Sequence, residues 1–170
     1  MHRFALIGAA GYIAPRHMQA IRATGNEIVA LLDPHDSVGL IDSYFPGADY
    51  FREPERFDRH LDKLRRGEGT RVDYVAIASP NYLHDAHIRL ALRNGSNAIC
   101  EKPLVLNPWN VDALQQIEAE TGQQINVILQ LRLHPTIRKL SGEMMQGGKD
   151  RKQDVDLTYI TSRGRWYHHS

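Results

Sequence analysis

Lys102 closes an apolar run, in Ala98-Ile99-Cys100-Glu101-Lys102-Pro103, with a proline directly behind it. Proline fixes its own φ and biases the residue before it toward extended geometry, so the lysine leaves the strand in a restricted direction. An ammonium held at the carboxyl end of a sheet strand faces the crevice where open α/β sheets bind ligands. There it can polarise a hydroxyl or a carbonyl. The other reading is a solvated loop lysine, which Glu-Lys-Pro taken alone does not exclude.

A second candidate lies near the start, in Gly8-Ala9-Ala10-Gly11-Tyr12-Ile13-Ala14, after the apolar run Phe4 to Ile7. Glycine at a strand end permits a tight turn. A small second residue lets backbone N–H groups approach a pyrophosphate, and the helix N-terminus adds partial positive charge. The match to G-x-G-x-x-G is imperfect, because Ala10 replaces the middle glycine and Gly8, Gly11 and Ala14 make G-x-x-G-x-x-A. Its position between a predicted strand and a predicted helix is the context the motif requires. Close strand–helix packing is the competing explanation. Asp33-Pro34 follows the next apolar run at about the 20-residue spacing where a carboxylate accepts the adenosine-ribose hydroxyls. A carboxylate there repels a 2′-phosphate and so favours NAD over NADP. Otherwise Asp33 caps the next helix or shapes an Asp-Pro turn.

A third cluster is Ser79-Pro80-Asn81-Tyr82-Leu83-His84, at the exit of the run Tyr74 to Ala78. Ser79 and Asn81 suit helix capping; alternatively Ser79, Pro80 and Asn81 lie against the pyrophosphate and nicotinamide ribose. His84, one helical turn on, is placed to face the same crevice, and His17, His87 and His134 carry less weight. The nine histidines show no metal-ligand spacing such as H-E-x-x-H, so no metal is expected.

These groups need a scaffold that brings strand ends together. Apolar runs alternating with helical periodicity indicate a parallel α/β sheet, doubly wound and Rossmann-type. Strands are expected at Phe4–Ile7, Ile28–Leu32, Asp49–Phe51, Tyr74–Ala78, Ala98–Cys100 and Ile125–Leu131. Helices are expected at Ala14–Ala23, Pro54–Arg66, His84–Arg93, from Asn107-Pro108 to Thr121, and from His134-Pro135 to Gly147-Gly148. The charged turn from Lys63 to Arg71 reads as a solvated loop, with a phosphate-binding patch as the lesser alternative. Residues 1–125 therefore form a dinucleotide-binding domain, and 126–170 a connecting strand and helix plus the start of a second domain. Val155 to Ile160, running on toward Tyr167, reads as the first strand of an α+β domain whose remainder is absent. Such a strand must pair, swap or fray.

Bulk properties narrow the function classes. A chain of 170 residues with 42% hydrophobic and 24% charged residues is ordinary globular material. It buries roughly 70% of its unfolded surface without needing metals or disulfides. A formal charge of +1 predicts no nucleic-acid footprint. The single cysteine, Cys100, forbids an internal disulfide, fits a reducing cytoplasm, and reads as a small core residue. No signal-peptide pattern opens the chain, and no apolar run approaches the roughly 20 residues of a membrane span.

With these pieces assembled, the chain resembles the Gfo/Idh/MocA family, named after glucose–fructose oxidoreductase and inositol dehydrogenase. The resemblance rests on Gly8 to Ala14, Ser79-Pro80-Asn81 with His84, and Glu101-Lys102-Pro103, in the family's order and approximate spacing. The longer strings Ala5 to His17, Ser79 to His87 and Ile128 to Pro135 resemble one branch, the UDP-N-acetyl-2-amino-2-deoxyglucuronate 3-dehydrogenases of surface-polysaccharide (O-antigen) assembly. The resemblance implies NAD as cofactor and oxidation of C3 of a UDP-linked N-acetylamino-sugar uronate to a 3-keto sugar. It implies 2-oxoglutarate as a hydride acceptor, and a homo-oligomer in the full-length protein. By position, Lys102 meets the reacting hydroxyl, Ser162 and Arg163 meet substrate, and Gly8, Ala10, Gly11, Tyr12, Ile13, Asp33, Ser79, Pro80, Asn81, His84, Glu101, Lys102 and Gln130 meet the cofactor. The family's catalytic histidine falls beyond Ser170, so the fragment is expected to bind NAD but not to turn over.

Removing hydride from an alcohol requires the hydroxyl proton to be accepted as charge develops, and a positioned base is worth about 10²–10⁴-fold. A free lysine titrates near ~10.4, and burial or a nearby cation pushes it down. Lys102 can share the proton with the histidine beyond Ser170 or merely orient substrate. A non-catalytic NAD-binding or nucleotide-sensing module is the alternative. A short-chain-dehydrogenase reading is disfavoured, since no Tyr-x-x-x-Lys pair occurs.

Overall fold

Short aliphatic runs, each followed by an amphipathic helix-length segment, fold into a parallel sheet in this computed structural model, which describes residues 1–35, 38–67, 71–146 and 154–160. The strands are β1 (Arg3–Ile7), β2 (Glu27–Leu32), β3 (Asp49–Phe51), β4 (Tyr74–Ile77), β5 (Asn97–Cys100) and β6 (Ile125–Val127). They lie in the order β3-β2-β1-β4-β5-β6, and every ladder is parallel. The direction of winding reverses between β1 and β4, which opens a crevice beyond their carboxyl ends. The Rossmann-type doubly wound expectation is met.

Period-2 alternation sends neighbouring side chains of each strand to opposite faces. Ala5, Ile7, Val75 and Ile77 pack under Phe57 and Leu61 of α3 (Pro54–Arg66), Ile88 and Leu92 of α4 (His84–Arg93), and Leu114 of α5 (Trp109–Thr121). Phe4, Leu6 and Ala76 pack on the other face with Met18 and Ile21 of α1 (Ala14–Ala23) and Ile41 of α2 (Val38–Tyr44). Each large side chain so buried contributes about 1.5–3 kcal/mol. This two-sided core holds the strand ends, and hence the candidate residues, in register.

Three elements differ from expectation. The helix Val38–Tyr44 was not anticipated: seven residues with Gly39 inside give little periodic signal, yet Ile41 is buried beneath it. The sixth strand stops at Val127 rather than Leu131. Its last ladder contact is Ile128 N–H to the Cys100 carbonyl (2.9 Å), because β5 then leaves the sheet. Gln130–Leu133 forms a 3₁₀ turn instead, followed by α6 (Pro135–Gln146). Val155–Ile160 forms no ladder among the described residues and is exposed. A strand without a partner has nowhere to place its backbone hydrogen bonds. The chain falls into two units, Met1–Ile128 and Leu129–Ser170.

Cys100 is fully buried at the end of β5, and burial, with the Glu101 carboxylate second, pushes its thiol up to about 12. At pH ~8 the folded thiolate fraction is then roughly three orders of magnitude below that of an unfolded cysteine. A colorimetric disulfide reagent should therefore label Cys100 rapidly only in denaturant; fast labelling of the native chain contradicts this placement.

Candidate functional site

Three strand exits meet at the crevice. Gly8 follows β1, Ala78 and Ser79 follow β4, and Glu101 follows β5. Gly8 has φ +84, and a Cβ built on it would lie 2.5 Å from the carbonyl carbon and oxygen of Ala78 and 2.7 Å from Ser79 N. All three are backbone atoms, so no side-chain adjustment relieves the clash. Only glycine fits where the first loop crosses the β4 exit. The loop is then folded on itself, with Gly11 N–H donating to Gly8 O (3.0 Å) and Ala14 N–H to Gly11 O (3.2 Å). It delivers the chain into α1, whose amino end has Pro15 in its first turn, no side-chain cap and no acidic residue. The positive end of that helix is left uncompensated and suits an anion. Ala10 and Ile13 are half-buried, and Tyr12 is exposed.

Asp33, just past β2, is buried, and both of its oxygens are engaged. Oδ2 accepts Ala10 N–H and Oδ1 accepts His35 N–H, each at 2.9 Å. The turn-shaping role is thus present, and the same carboxylate ties the glycine loop to the second strand. Each oxygen retains a further lone pair for a hydroxyl donor.

The capping reading of Ser79 and Asn81 is not met. Neither Ser79 nor Asn81 caps a helix: the 3₁₀ turn Asn81–Leu83 follows Pro80, α4 follows Leu83, and neither start carries a side-chain cap. Ser79 Oγ instead lies 2.8 Å from His87 Nδ1. Burial first, and the charge of His84 second, push the His87 ring down to about 4, so it is neutral at ordinary pH. Pro80 is exposed and Asn81 half-buried. His84 lies between the β4 and β5 exits. It is fully buried, with Nδ1 2.7 Å from the Pro103 carbonyl oxygen and Nε2 3.0 Å from the Ser79 carbonyl oxygen. Both ring nitrogens are thus taken up by backbone carbonyls of the two exits.

At the β5 exit, Glu101 N–H donates to Ile77 O (3.0 Å), which fixes the start of Glu101-Lys102-Pro103 against β4. The Glu101 carboxylate lies 3.1 Å from Nε2 of His17, which α1 carries inward and which is 9% exposed. Burial pushes the Glu101 carboxyl up, but the His17 ring and the adjoining Lys102 amide and ammonium together hold it below the usual carboxylate range. Lys102 is exposed, and the Lys102–Pro103 peptide is cis. His17 and His87 are the residues that sequence reasoning underweighted. Their partners, Glu101 and Ser79, sit on other elements or on a preceding loop, and only the spacing of His84 to His87 on one helix hinted at a shared direction.

Gln130 opens the 3₁₀ turn of the second unit and is exposed. Ser162 and Arg163 lie outside the described residues. Among the described residues, no group of three or more His, Cys, Asp or Glu could hold a metal ion, and no helix is long and apolar enough to cross a membrane.

Residues 2–129 match the family described as "Oxidoreductase family, NAD-binding Rossmann fold" (GFO_IDH_MocA). The chain is 52% identical, over its full length and 54% of the other chain, to the WlbA (WbpB) dehydrogenase from Thermus thermophilus, with a TM-score of 0.93. Crystal structures of that protein contain NAD with alpha-ketoglutarate, and NAD with UDP-GlcNAcA. The chain is also 33% identical over 168 residues to the oxidoreductase YgjR of Escherichia coli K12, covering 98% of this chain and 48% of that protein. To 1,5-anhydro-D-fructose reductase of Ensifer adhaerens it is 27% identical, over 86% of this chain and 42% of the reductase. It spans about half the length of these relatives.

Proposed function

This chain belongs to the Gfo/Idh/MocA oxidoreductase family, with its NAD-binding Rossmann fold, and on that premise we propose that it is the cofactor-binding part of an NAD-dependent dehydrogenase that oxidises C3 of a UDP-linked N-acetylamino-sugar uronate. The observation that carries the cofactor reading is the Gly8 crossing, where a Cβ would meet the Ala78 and Ser79 backbone at the point of strand-order reversal. The substrate reading is supported by similarity to the Thermus thermophilus dehydrogenase. This chain covers 54% of that dehydrogenase, so NAD binding is assigned to the chain and turnover of the sugar to the full-length protein.

The residues present suit the coenzyme. Loop 8–14 and the uncapped α1 amino end receive the pyrophosphate, Asp33 the adenosine ribose, and Ser79, Pro80 and Asn81 the nicotinamide side. When bound, the coenzyme supplies the hydride acceptor. Lys102 holds the C3 hydroxyl and accepts or relays its proton as the C3–H bond breaks and the ketone forms. Glu101, kept ionised by His17, places an anion at the start of the Lys102 loop. Gln130, Ser162 and Arg163 complete the contacts to cofactor and substrate. 2-Oxoglutarate is the proposed acceptor: its keto carbon could take a hydride from the reduced coenzyme and its oxygen a proton, which would give the hydroxy acid and restore the oxidised coenzyme. The keto sugar then suits a cytoplasmic transaminase in surface-polysaccharide assembly.

Calorimetric titration of the chain with NAD and NADP tests this. NAD should bind more tightly than NADP, and Asp33→Asn should narrow the preference about tenfold, since a charged acceptor bond is worth ~1.5–3 kcal/mol. Absence of binding by either nucleotide overturns the reading; an unchanged preference in Asp33→Asn limits Asp33 to shaping the turn.

A further inference from the structure

His84 breaks two local rules at once. It opens α4, where the positive end of the helix disfavours a cation, and it is fully buried, where a charge is costly. Yet both ring nitrogens point at backbone carbonyl oxygens, that of Pro103 at 2.7 Å and that of Ser79 at 3.0 Å. Carbonyl oxygens only accept. A neutral imidazole has a single N–H, so one of these contacts would set lone pair against lone pair. A ring protonated at both nitrogens satisfies both.

The two carbonyls belong to the two loops that matter. Ser79 leaves β4 beside Gly8, and Pro103 is bonded to Lys102. We propose that His84 is an imidazolium clamp that ties the β4 exit to the Glu101-Lys102-Pro103 exit and so positions Lys102 against the nicotinamide side of the crevice. The groups shown against it are the Ser79 carbonyl on the β4 exit, the Pro103 carbonyl on the β5 exit, and the His87 ring on its own helix. His87 is neutral and bonded to Ser79 Oγ, leaving Glu101 as the anion on the clamped loop. His84 acts through the Ser79 and Pro103 backbone carbonyls. The role of Lys102 assigned above is assumed in this inference.

Two measurements test it. Long-range ¹H–¹⁵N correlation spectra of the histidine-labelled chain should show both nitrogens of His84 protonated at neutral pH, and a single protonated nitrogen overturns the clamp. In the full-length enzyme, His84→Asn should lower kcat by about 10²-fold, the effect of a misplacement near one ångström, while NAD affinity holds. His84→Gln, which carries two N–H donors on one longer stem, should recover part of that loss. Unchanged kcat in His84→Asn overturns the proposal. If Lys102→Ala also leaves kcat unchanged, the error lies in the role of Lys102; if Lys102→Ala collapses turnover and His84→Asn does not, it lies in the clamp.

Discussion

Gly8→Ala should abolish measurable NAD binding and lower the melting temperature together. Two effects add. The residue is held at φ +84, where an L side chain is strained, and its Cβ would sit 2.5 Å from the Ala78 carbonyl group. The strain costs about 1–3 kcal/mol, and forcing the β4 exit aside a further ~1–3 kcal/mol. At roughly 2–4 °C per kcal/mol for a domain of this size, the melt should fall by about 5–20 °C. Displacing Ser79 and the loop amides would also remove at least two charge-assisted bonds to the pyrophosphate. At ~1.5–3 kcal/mol each, that is a loss of about 10²–10⁴-fold in affinity. Gly25→Ala is the control. Gly25 has φ +72 but nothing within 4 Å of its Cβ, so it should show modest destabilisation and full NAD affinity. Equal losses in both variants would mean that backbone strain alone, and not the crossing at the β4 exit, governs binding.

Lys102→Ala should cut the kcat proposed for the full-length protein by about 10²–10⁴-fold, the contribution of a positioned proton acceptor. NAD affinity should be retained, because the pyrophosphate and ribose contacts belong to other strand exits. Lys102→Arg separates two roles. A guanidinium cannot give up its proton at working pH, so a base at 102 is lost in Arg as fully as in Ala. A residue that only orients the hydroxyl leaves Arg with partial activity. Full turnover in Lys102→Ala would remove Lys102 from the chemistry, whereas NAD binding without any turnover by the unsubstituted full-length protein would favour a nucleotide-sensing module.

Much of the scaffold was legible because its signals are local. Gly8, Asp33, Ser79 and Glu101 each follow a short apolar run, and in the fold each follows a parallel strand. The exits of β1, β4 and β5 converge because the winding reverses between β1 and β4, which alternating strands and helices already imply. The histidines were not legible. His17 and Glu101 are 84 residues apart in sequence, and no periodicity announces that a helix will turn one polar side chain toward the crevice. His84 looked like a crevice residue on helical spacing, and only the packed structure shows its ring enclosed between two carbonyls. The overextended sixth strand failed for a related reason: its residues continue to favour extension after Val127, but the partner strand has ended.

The central claim is that a dinucleotide binds across the β1/β4 exits while Lys102 serves chemistry instead of affinity. Titrating NAD into the unsubstituted chain, Gly8→Ala and Lys102→Ala in one calorimetric series tests it most directly. Binding by the unsubstituted chain and by Lys102→Ala, with loss in Gly8→Ala, is the predicted pattern. Failure of the unsubstituted chain to bind, or retention of affinity in Gly8→Ala, would contradict it.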